Sequence, residues 1–223
     1  MATKRAPKLD ARLTAAASLV KPNGIVADVG CDHGKLSAYL ACQDTCSRVI
    51  AADLRPGPLS VAKATCEEAG CLHKVEFRLG DGLQVVQPGE VDSIVLAGMS
   101  AQTIIEILQQ APWVKEYATR LVFVPATKPE VLRQWLWEQG FSLLEERVAK
   151  AAGRWYAIFS AEYTGVPYVP TPMECLLGRS AQGPEMQEYR AQVAGRLAKI
   201  RKGLDQDPQA AAQVDELLKQ LQE

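Results

Sequence analysis

The stretch Val26-Ala27-Asp28-Val29-Gly30-Cys31-Asp32-His33-Gly34-Lys35-Leu36 runs from an apolar segment, through a glycine-marked turn, into a segment of helical character. A strand, a tight turn and a helix in this order let a ligand approach the backbone of the turn and the N-terminus of the helix. Gly30 and Gly34 permit that approach because neither carries a side chain. Asp53 closes the next predicted strand, 23 residues after Gly30. The pattern indicates an α/β fold that binds a nucleoside.

Strand-type and helix-type segments alternate from residue 25 to about residue 161, with short connections. This alternation predicts right-handed parallel crossovers and a sheet buried on both faces. The last two strands are joined at Ala151-Ala152-Gly153, so they form a hairpin that adds one antiparallel strand. The predicted strands are 25–29, 48–53, 75–79, 91–96, 120–124, 142–150 and 155–163. The fold class is therefore α/β, a Rossmann-like seven-stranded sheet of the methyltransferase layout.

Two further segments flank the predicted sheet. Residues 1–21 hold five basic residues against one acidic residue, with apolar residues at helical spacing, which indicates an amphipathic helix with a basic exposed face. Residues 165–172 hold three prolines and are expected to form a linker. Helical segments are predicted from residue 184 to about residue 204 and over 208–221, as a small coiled-coil-like domain. The expected domains are 1–164 and 165–223.

Composition narrows the class of protein. The chain has 223 residues, a net charge of −1 and 48% hydrophobic residues, as an ordinary globular protein does. A nucleic-acid partner would therefore be held by local basic patches, since the chain has no excess of positive charge. No apolar run is long enough to span a membrane and the N-terminus does not resemble a secretory signal. No membrane partner is expected, and the expected location is cytoplasmic.

The cysteines do not indicate a metal site. Six cysteines are present, but no two are spaced as Cys-x-x-Cys, and only His33 and His73 are available as imidazole ligands. Reduced thiols on helices behave as small apolar side chains. No metal is expected.

Charge and glycine spacing discriminate among nucleoside ligands. The first turn has the pattern Gly-x-x-x-Gly, whereas dinucleotide-binding turns have Gly-x-Gly-x-x-Gly. Asp28 and Asp32 flank the turn, and their negative charge suits the cationic groups of S-adenosylmethionine better than a diphosphate. Asp53 is placed to accept from both ribose hydroxyls, and Asp81 from the adenine amino group. S-adenosylmethionine is therefore the expected cofactor, and a nicotinamide-dependent dehydrogenase is disfavoured.

A family resemblance rests on four motifs: Ala27-Asp28-Val29-Gly30-Cys31-Asp32-His33, Gly57-Pro58, Gly80-Asp81-Gly82-Leu83 and Ala97-Gly98-Met99. With the linker and helical C-terminus, they resemble the bacterial tRNA (adenine-22-N1)-methyltransferase family over essentially the whole chain. The resemblance implies S-adenosylmethionine as donor and tRNA as acceptor, with methylation at N1 of an adenine in the D-arm region. It also implies a helical C-terminal domain that helps to hold the tRNA.

The expected cofactor-binding residues lie in these motifs and at the ends of the predicted strands. They are Asp28, Gly30, Cys31, His33, Asp53, Leu54, Asp81, Gly82, Ala97, Gly98 and Met99. The sequence also departs from the family pattern. Asp53 stands where the family usually has Glu, Ser100-Ala101 replaces Gly-Gly, and Val124-Pro125-Ala126 replaces Gln-Pro-Asn. The cofactor site therefore matches the family better than the acceptor-base site does.

Asp32 is the candidate catalytic residue. Adenine N1 carries a lone pair at neutral pH, so methyl transfer depends on the placement of the reacting atoms more than on strong base catalysis. Positive charge develops on the ring as the bond forms, and a carboxylate that accepts a hydrogen bond from the exocyclic amine stabilises that charge. The alternative role for Asp32 is to cap the helix that begins near Lys35.

Binding of tRNA requires phosphate contacts, because a base that leaves its stack costs a few kcal/mol. The candidates for these contacts are basic residues of the first helix and the penultimate helix: Arg5, Lys8, Arg12, Arg190, Arg196, Lys199, Arg201 and Lys202. Pro125 and Thr127, after the fifth strand, are instead candidates for contact with the target base. The alternative interpretation of the basic residues is a solvated helix face.

Three hypotheses about the function stay open at this point. The first is a tRNA adenine-N1 methyltransferase that acts as a monomer or weak dimer. The second is a methyltransferase of the same fold with another acceptor, which Val124-Pro125-Ala126 favours. The third is a non-catalytic relative that binds tRNA or the cofactor.

Overall fold

A computed structural model describes residues 6–43, 46–180 and 182–222. Its centre is a seven-stranded sheet formed by β1 (Gly24–Val29), β2 (Cys46–Asp53), β3 (Val75–Leu79), β4 (Ser93–Ala97), β5 (Arg120–Val124), β6 (Phe141–Ala151) and β7 (Arg154–Tyr163). The strand order is β3-β2-β1-β4-β5-β7-β6. The first five strands are parallel, and β7 pairs antiparallel with both β5 and β6. This topology confirms the predicted fold class, including the terminal hairpin.

The helices are α1 (Ala11–Ala17), α2 (Lys35–Cys42), α3 (Pro56–Ala69), α4 (Ala101–Gln109), α5 (Pro129–Glu138), α6 (Pro172–Leu177), α7 (Glu185–Arg201) and α8 (Pro208–Gln220). Three single 3-10 turns, at Leu72–Lys74, Gly82–Val85 and Pro112–Lys115, join some of these elements. The predicted helices after strands one, two, four and five are therefore present. Their ends differ from the predicted ends by at most two residues, which is usual for assignments of helix termini.

Both faces of the sheet are buried, as a sheet covered by crossover helices requires. The alternation along β4 illustrates this: Ile94 and Leu96 belong to one apolar cluster, while Val95 belongs to the other. The first cluster includes residues of α4 and α5, and the second includes residues of α1, α2 and α3. The carboxyl ends of the parallel strands thus lie free of the core, at one edge of the sheet. Strand order reverses there, between β1 and its neighbours β2 and β4.

The C-terminal helices share the core of the sheet. Tyr189, Val193 and Leu197 of α7 are buried in the same apolar cluster as β4 and β5. Helices α7 and α8 also pack against each other, as the sequence predicts. Tyr163 ends β7 next to the predicted division between residues 164 and 165. The division into two domains stays a prediction, and the shared cluster makes the helices a covering layer of the sheet.

The N-terminal helix is shorter than predicted. Helix α1 covers seven residues and begins after Asp10, whose side chain accepts a hydrogen bond from the Leu13 backbone N–H at 3.0 Å. The expected basic exposed face is wrong for the described part of this segment. The Arg12 guanidinium pairs with Asp10 at 2.9 Å and lies over the Tyr156 ring, 5.2 Å from its centroid. Arg5 lies outside the described residues.

Candidate functional site

A cavity of about 970 Å³ opens at the carboxyl ends of β1, β2 and β4. Open α/β sheets bind ligands at this point, in the crevice where the strand order reverses. Most of the predicted cofactor-binding residues line the cavity: Gly30, Cys31, His33, Asp53, Leu54, Asp81, Gly82, Ala97, Gly98 and Met99, together with Asp32. The structure therefore brings together side chains that are up to 69 positions apart in the sequence.

The first turn forms the floor of the cavity. The backbone N–H groups of Gly30 and Cys31 both donate to the Ala52 carbonyl, at 2.8 and 2.9 Å, so the turn is held against β2. Gly34 has a φ of +67°, and a Cβ there would lie 2.6 Å from Cβ of Ala62. Glycine is required at Gly34 both for the left-handed backbone and for the approach of α3. The buried Cys31 thiol has a raised pKa, because burial disfavours the thiolate.

Asp32 points into solvent at the mouth of the cavity. Its side chain is 63% exposed, and its Oδ2 lies 2.8 Å from Nδ1 of His33. Its backbone has a φ of +49°, a conformation that Asp and Asn tolerate better than other residues with side chains. The alternative role as a helix cap is wrong, since the N-cap of α2 is Gly34 and no side chain caps that end. The Asp32 carboxylate is thus free to contact a ligand.

Asp53 ends β2 with both carboxylate oxygens oriented by the backbone. Oδ2 accepts from the Asp32 N–H at 3.1 Å, and Oδ1 accepts from the Arg55 N–H at 3.0 Å. Each oxygen keeps a second lone pair for a hydroxyl of a ligand. The next residue, Leu54, is 63% exposed and provides an apolar surface beside this carboxylate. The pair suits a ribose and the base attached to it.

Asp28 lies beneath the cavity and does not line it. The residue is 3% exposed, and its Oδ2 accepts from the Ser37 hydroxyl at 2.6 Å. Burial, together with a smaller repulsion from Asp53, raises the Asp28 pKa to about 6, although the Ser37 hydrogen bonds oppose the rise. Asp28 therefore supports the first turn and α2 from below, instead of contacting a ligand as the sequence predicts.

The ends of β4 and β5 are tied together behind the cavity. The Gly98 N–H donates to the Val124 carbonyl at 2.9 Å, and the Ala126 N–H donates to the Met99 carbonyl at 2.7 Å. The Ser100 hydroxyl accepts from the Thr103 N–H at 3.1 Å and so caps α4. The departure Ser100-Ala101 from the family pattern thus supplies a helix N-cap.

Sequence reasoning missed part of the lining. The missed residues come from α1 and the segment before it, from the ends of β1 and β2, from the start of α2, from the turns after β2 and β3, and from α4 and the residue after it. They are Leu9, Asp10, Leu13, Val29, Lys35, Leu36, Ala52, Arg55, Gly80, Thr103, Glu106, Ile107 and Gln110. Two residues predicted to contact tRNA, Lys8 and Arg12, also line this cavity. The α4 residues could have been predicted from the sequence. The helix that follows β4 begins at the same edge of the sheet as the turns that carry the motifs.

A family model described as a methyltransferase domain matches residues 9–159. The matched region includes every strand end and turn of the cavity. The chain belongs to the methyltransferase-domain family.

Relatives within this family support the predicted resemblance. The chain is 32% identical over 155 residues to the tRNA (adenine(22)-N(1))-methyltransferase of Bacillus subtilis, a match that covers 70% of this chain and 65% of that enzyme. Two solved structures have the same fold. The B. subtilis M1A22 tRNA methyltransferase TrmK superposes with a TM-score of 0.81 at 24% identity and covers 96% of this chain and 97% of that one. TrmK of M. capricolum, solved with S-adenosyl-homocysteine, gives 0.78 at 20% identity, with 96% of each chain covered.

The residues predicted to hold tRNA are spread over the N-terminal segment, the loop after β5, and α7 with the residue that follows it. Arg190 donates to the carbonyls of Gln220 and Leu221, both at 3.4 Å. Arg196 pairs with Glu130 at 2.9 Å, and Arg201 with Asp215 at 2.9 Å.

The remaining tRNA candidates differ in their exposure. Lys199 is exposed and Pro125 is buried, and both line a second cavity, described below. Lys202 is exposed, and Thr127 is exposed with its carbonyl bonded to the Ala101 N–H at 3.2 Å.

Two other features concern the described part of the chain. No helix there is long and apolar enough to cross a membrane. Within the same ranges, no group of three or more His, Cys, Asp or Glu side chains is arranged to hold a metal ion.

Proposed function

We propose that this protein transfers a methyl group from S-adenosylmethionine to N1 of an adenine in tRNA, at the position named for the B. subtilis relative, adenine 22. The observation that carries the proposal is the cavity at the carboxyl ends of β1, β2 and β4, with the carboxylates of Asp32, Asp53 and Asp81 around it. Carboxylates attract a cationic ligand and repel a diphosphate. The similarity to a named tRNA methyltransferase supports tRNA as the acceptor.

The chain's residues fit the cofactor in three ways. Asp53 has lone pairs for two ribose hydroxyls, because its backbone contacts use only one on each oxygen. Leu54 and Ile107 provide apolar surface for a base. Gly98, with a φ of +80°, has open space where a Cβ would stand, so the backbone can be approached closely. S-adenosylmethionine supplies an electrophilic methyl group on a positively charged sulfur.

Asp32 stabilises the charge that develops on the adenine. Its exposed carboxylate lies at the mouth of the cavity, between the cofactor-binding turn and solvent. Accepting a hydrogen bond from the exocyclic amine lowers the energy of the transition state as the ring becomes positive. His33, at 2.8 Å, orients the Asp32 carboxylate. The reaction needs no strong base, because adenine N1 already carries a lone pair.

A methyltransferase with another acceptor is the second candidate function, because Val124 and Ala126 offer no side-chain hydrogen bonds beside Pro125. One experiment separates the two. Purified protein is incubated with labelled S-adenosylmethionine and bulk tRNA, and the tRNA is digested to nucleosides. Labelled N1-methyladenosine supports the proposal, whereas another labelled nucleoside supports the second candidate. Absence of label in tRNA, with heat detected by calorimetry for S-adenosylmethionine, overturns tRNA as the acceptor.

The proposed setting is the cytoplasm, where tRNA is available, and the proposed oligomeric state is a monomer or weak dimer. Light scattering over a range of protein concentrations measures that state. A stable higher oligomer would contradict it.

A further inference from the structure

A second cavity of about 400 Å³ lies between the loop after β5, the start of β7, and α7. Four of its lining residues are cations: Lys128, Arg154, Arg196 and Lys199. None of its lining residues is Asp or Glu. The cofactor cavity, by contrast, is lined by both acidic and basic side chains, and the whole chain has a net charge of −1. The second cavity therefore selects an anion.

Some of these cations are already engaged, and others are available. Arg196 pairs with Glu130 at 2.9 Å, and Arg154 donates to the Ala126 carbonyl. Neither Lys128 nor Lys199 takes part in an ion pair within the described ranges, and both are exposed. Lys128 has a φ of +53°. A side chain held on a left-handed backbone at a cavity is a common feature of ligand-binding sites.

An aromatic ring joins the two cavities. Tyr156 lines the second cavity, and its ring carries the guanidinium of Arg154 at 5.0 Å and that of Arg12 at 5.2 Å from the centroid. Arg12 lines the cofactor cavity. Because the guanidiniums cover this ring, the surface open to a nucleobase is the exposed Arg154 guanidinium, a planar cation on which bases stack. A chain with one base in the cofactor cavity can therefore place its neighbour here.

Gly195 leaves the second cavity open. It lies inside the 17-residue helix α7, where glycine is less favourable than alanine. It is exposed, and a Cβ there would have no neighbour within 4 Å, so packing does not require glycine. The absent side chain instead provides space on the α7 wall of the cavity.

The walls of the second cavity are fixed to each other. The Gln192 side chain accepts from the Trp155 N–H at 2.7 Å and donates to the Trp155 carbonyl at 2.8 Å, which locks α7 onto β7. The cavity is thus formed before any ligand enters, and ordering its walls adds no cost to binding.

We propose that the second cavity binds the single-stranded nucleotide next to the target adenine, with its phosphate at Lys128 and Lys199 and its base on the Arg154 guanidinium that lies over Tyr156. The proposal rests on the proposed function, because it takes RNA as the substrate. It assigns to this cavity a role in presenting the target base, which must leave its stack to reach the cofactor cavity.

The test fills the cavity. Gly195→Leu adds a side chain on the cavity wall, and Gly195→Ala is the matched control that adds only a Cβ in open space. With full-length protein, tRNA and S-adenosylmethionine, we expect Gly195→Leu to raise KM for tRNA about tenfold or more, as loss of one stacked base does. Affinity for S-adenosylhomocysteine, measured by calorimetry, stays within about twofold of wild type, which also reports that the variant is folded. Gly195→Ala raises KM for tRNA less than Gly195→Leu does, because a single Cβ fills less of the cavity.

A charge test accompanies it. Lys199→Glu is expected to weaken tRNA binding about tenfold, whereas Lys63→Glu, on α3 beside β2 and β3, is expected to leave binding unchanged. If wild type methylates tRNA and both Gly195→Leu and Lys199→Glu keep the wild-type KM, the cavity proposal is overturned and the proposed function stands. If wild type itself does not methylate tRNA, the proposed function falls, and this proposal falls with it.

Discussion

At the scale of single residues, Asp32 combines an exposed carboxylate with a left-handed backbone. Both properties place its side chain at the mouth of the cavity. Asn tolerates this backbone about as well as Asp does, so Asp32→Asn removes the charge and keeps the turn. We expect kcat to fall by about 10²- to 10⁴-fold while calorimetry finds the affinity for S-adenosylhomocysteine unchanged within about threefold. Turnover equal to that of wild type would remove Asp32 from the mechanism.

Asp28 makes the stability of the fold depend on pH. Its folded-state pKa is about 6 against an ordinary value of 3.8, so the folded protein holds a proton that the unfolded chain has already released. The contribution of Asp28 to the free energy of unfolding is fully present below pH 4 and is lost as pH rises through 6. The difference between its folded and unfolded pKa corresponds to roughly 3 kcal/mol of that free energy.

The matched variant for this prediction is Asp28→Asn, which stays neutral at every pH. We expect urea unfolding between pH 4 and pH 8 to find Asp28→Asn progressively more stable than wild type as pH rises. The stability of Asp28→Asn is compared with that of wild type at each pH because other carboxyl groups change stability with pH in the opposite direction. Glu90 is one of them, since the Arg78 guanidinium lowers its pKa to about 2. A difference between the two proteins that does not change with pH would contradict the assignment.

The role of Asp28 illustrates what the sequence determines at residue scale. Side chains alternate along a strand, so Asp28 faces the same side as Val26, toward α2, and not the cavity beyond Val29. That direction was available from the pattern. The positive φ of Asp32 was not, because only the assembled turn, held by the Ala52 carbonyl and Asp53, imposes it.

At the scale of elements, strands were predictable because each is a short apolar run, and the motif residues follow them directly. Helix α6 was missed, although Thr171-Pro172-Met173-Glu174 is a capping box with Pro at the first helical position. The proline-rich composition of residues 165–172 favoured a linker and obscured that signal. The same kind of signal, Asp10, marks the true start of α1.

Helix α6 is fastened by a buried ion pair between two other elements. Arg133 of α5 is fully buried, and its Nε donates to Glu146 of β6 at 2.8 Å. Its Nη1 donates to the carbonyl of Cys175, near the end of α6, at 3.0 Å. Three elements therefore converge on one guanidinium.

We expect Arg133→Met to lower the free energy of unfolding by about 3–5 kcal/mol, because it leaves the Glu146 carboxylate buried without its cation. The double variant Arg133→Met/Glu146→Gln is expected to recover part of that loss. Urea denaturation of the three proteins measures both effects. A single variant within about 1 kcal/mol of wild type would show that the pair does not hold α6.

At the scale of the whole molecule, the two cavities differ in charge although the total is near zero. The cavity at β1, β2 and β4 is lined by side chains of both signs, whereas the charged residues that line the cavity beyond β5, against α7, are all cations. Counting charges along α7 overstates the cations available to tRNA, because Arg190, Arg196 and Arg201 are engaged within the protein. A sequence gives the number of cations on a helix, but only the packed structure gives their partners.

The salt dependence of tRNA binding tests which cations of the α7 segment contact phosphates and which are engaged within the protein. Each phosphate contact contributes about 0.7 to 0.9 to the slope of log K against log salt concentration. The double variant Lys199→Gln/Lys202→Gln removes two exposed cations and is expected to reduce the slope by roughly 1.4 to 1.8. Arg201→Gln removes one charge that Asp215 already engages, so its slope stays at the wild-type value while its thermal stability falls slightly. Equal slopes for the double variant and wild type would mean that α7 does not face the phosphates.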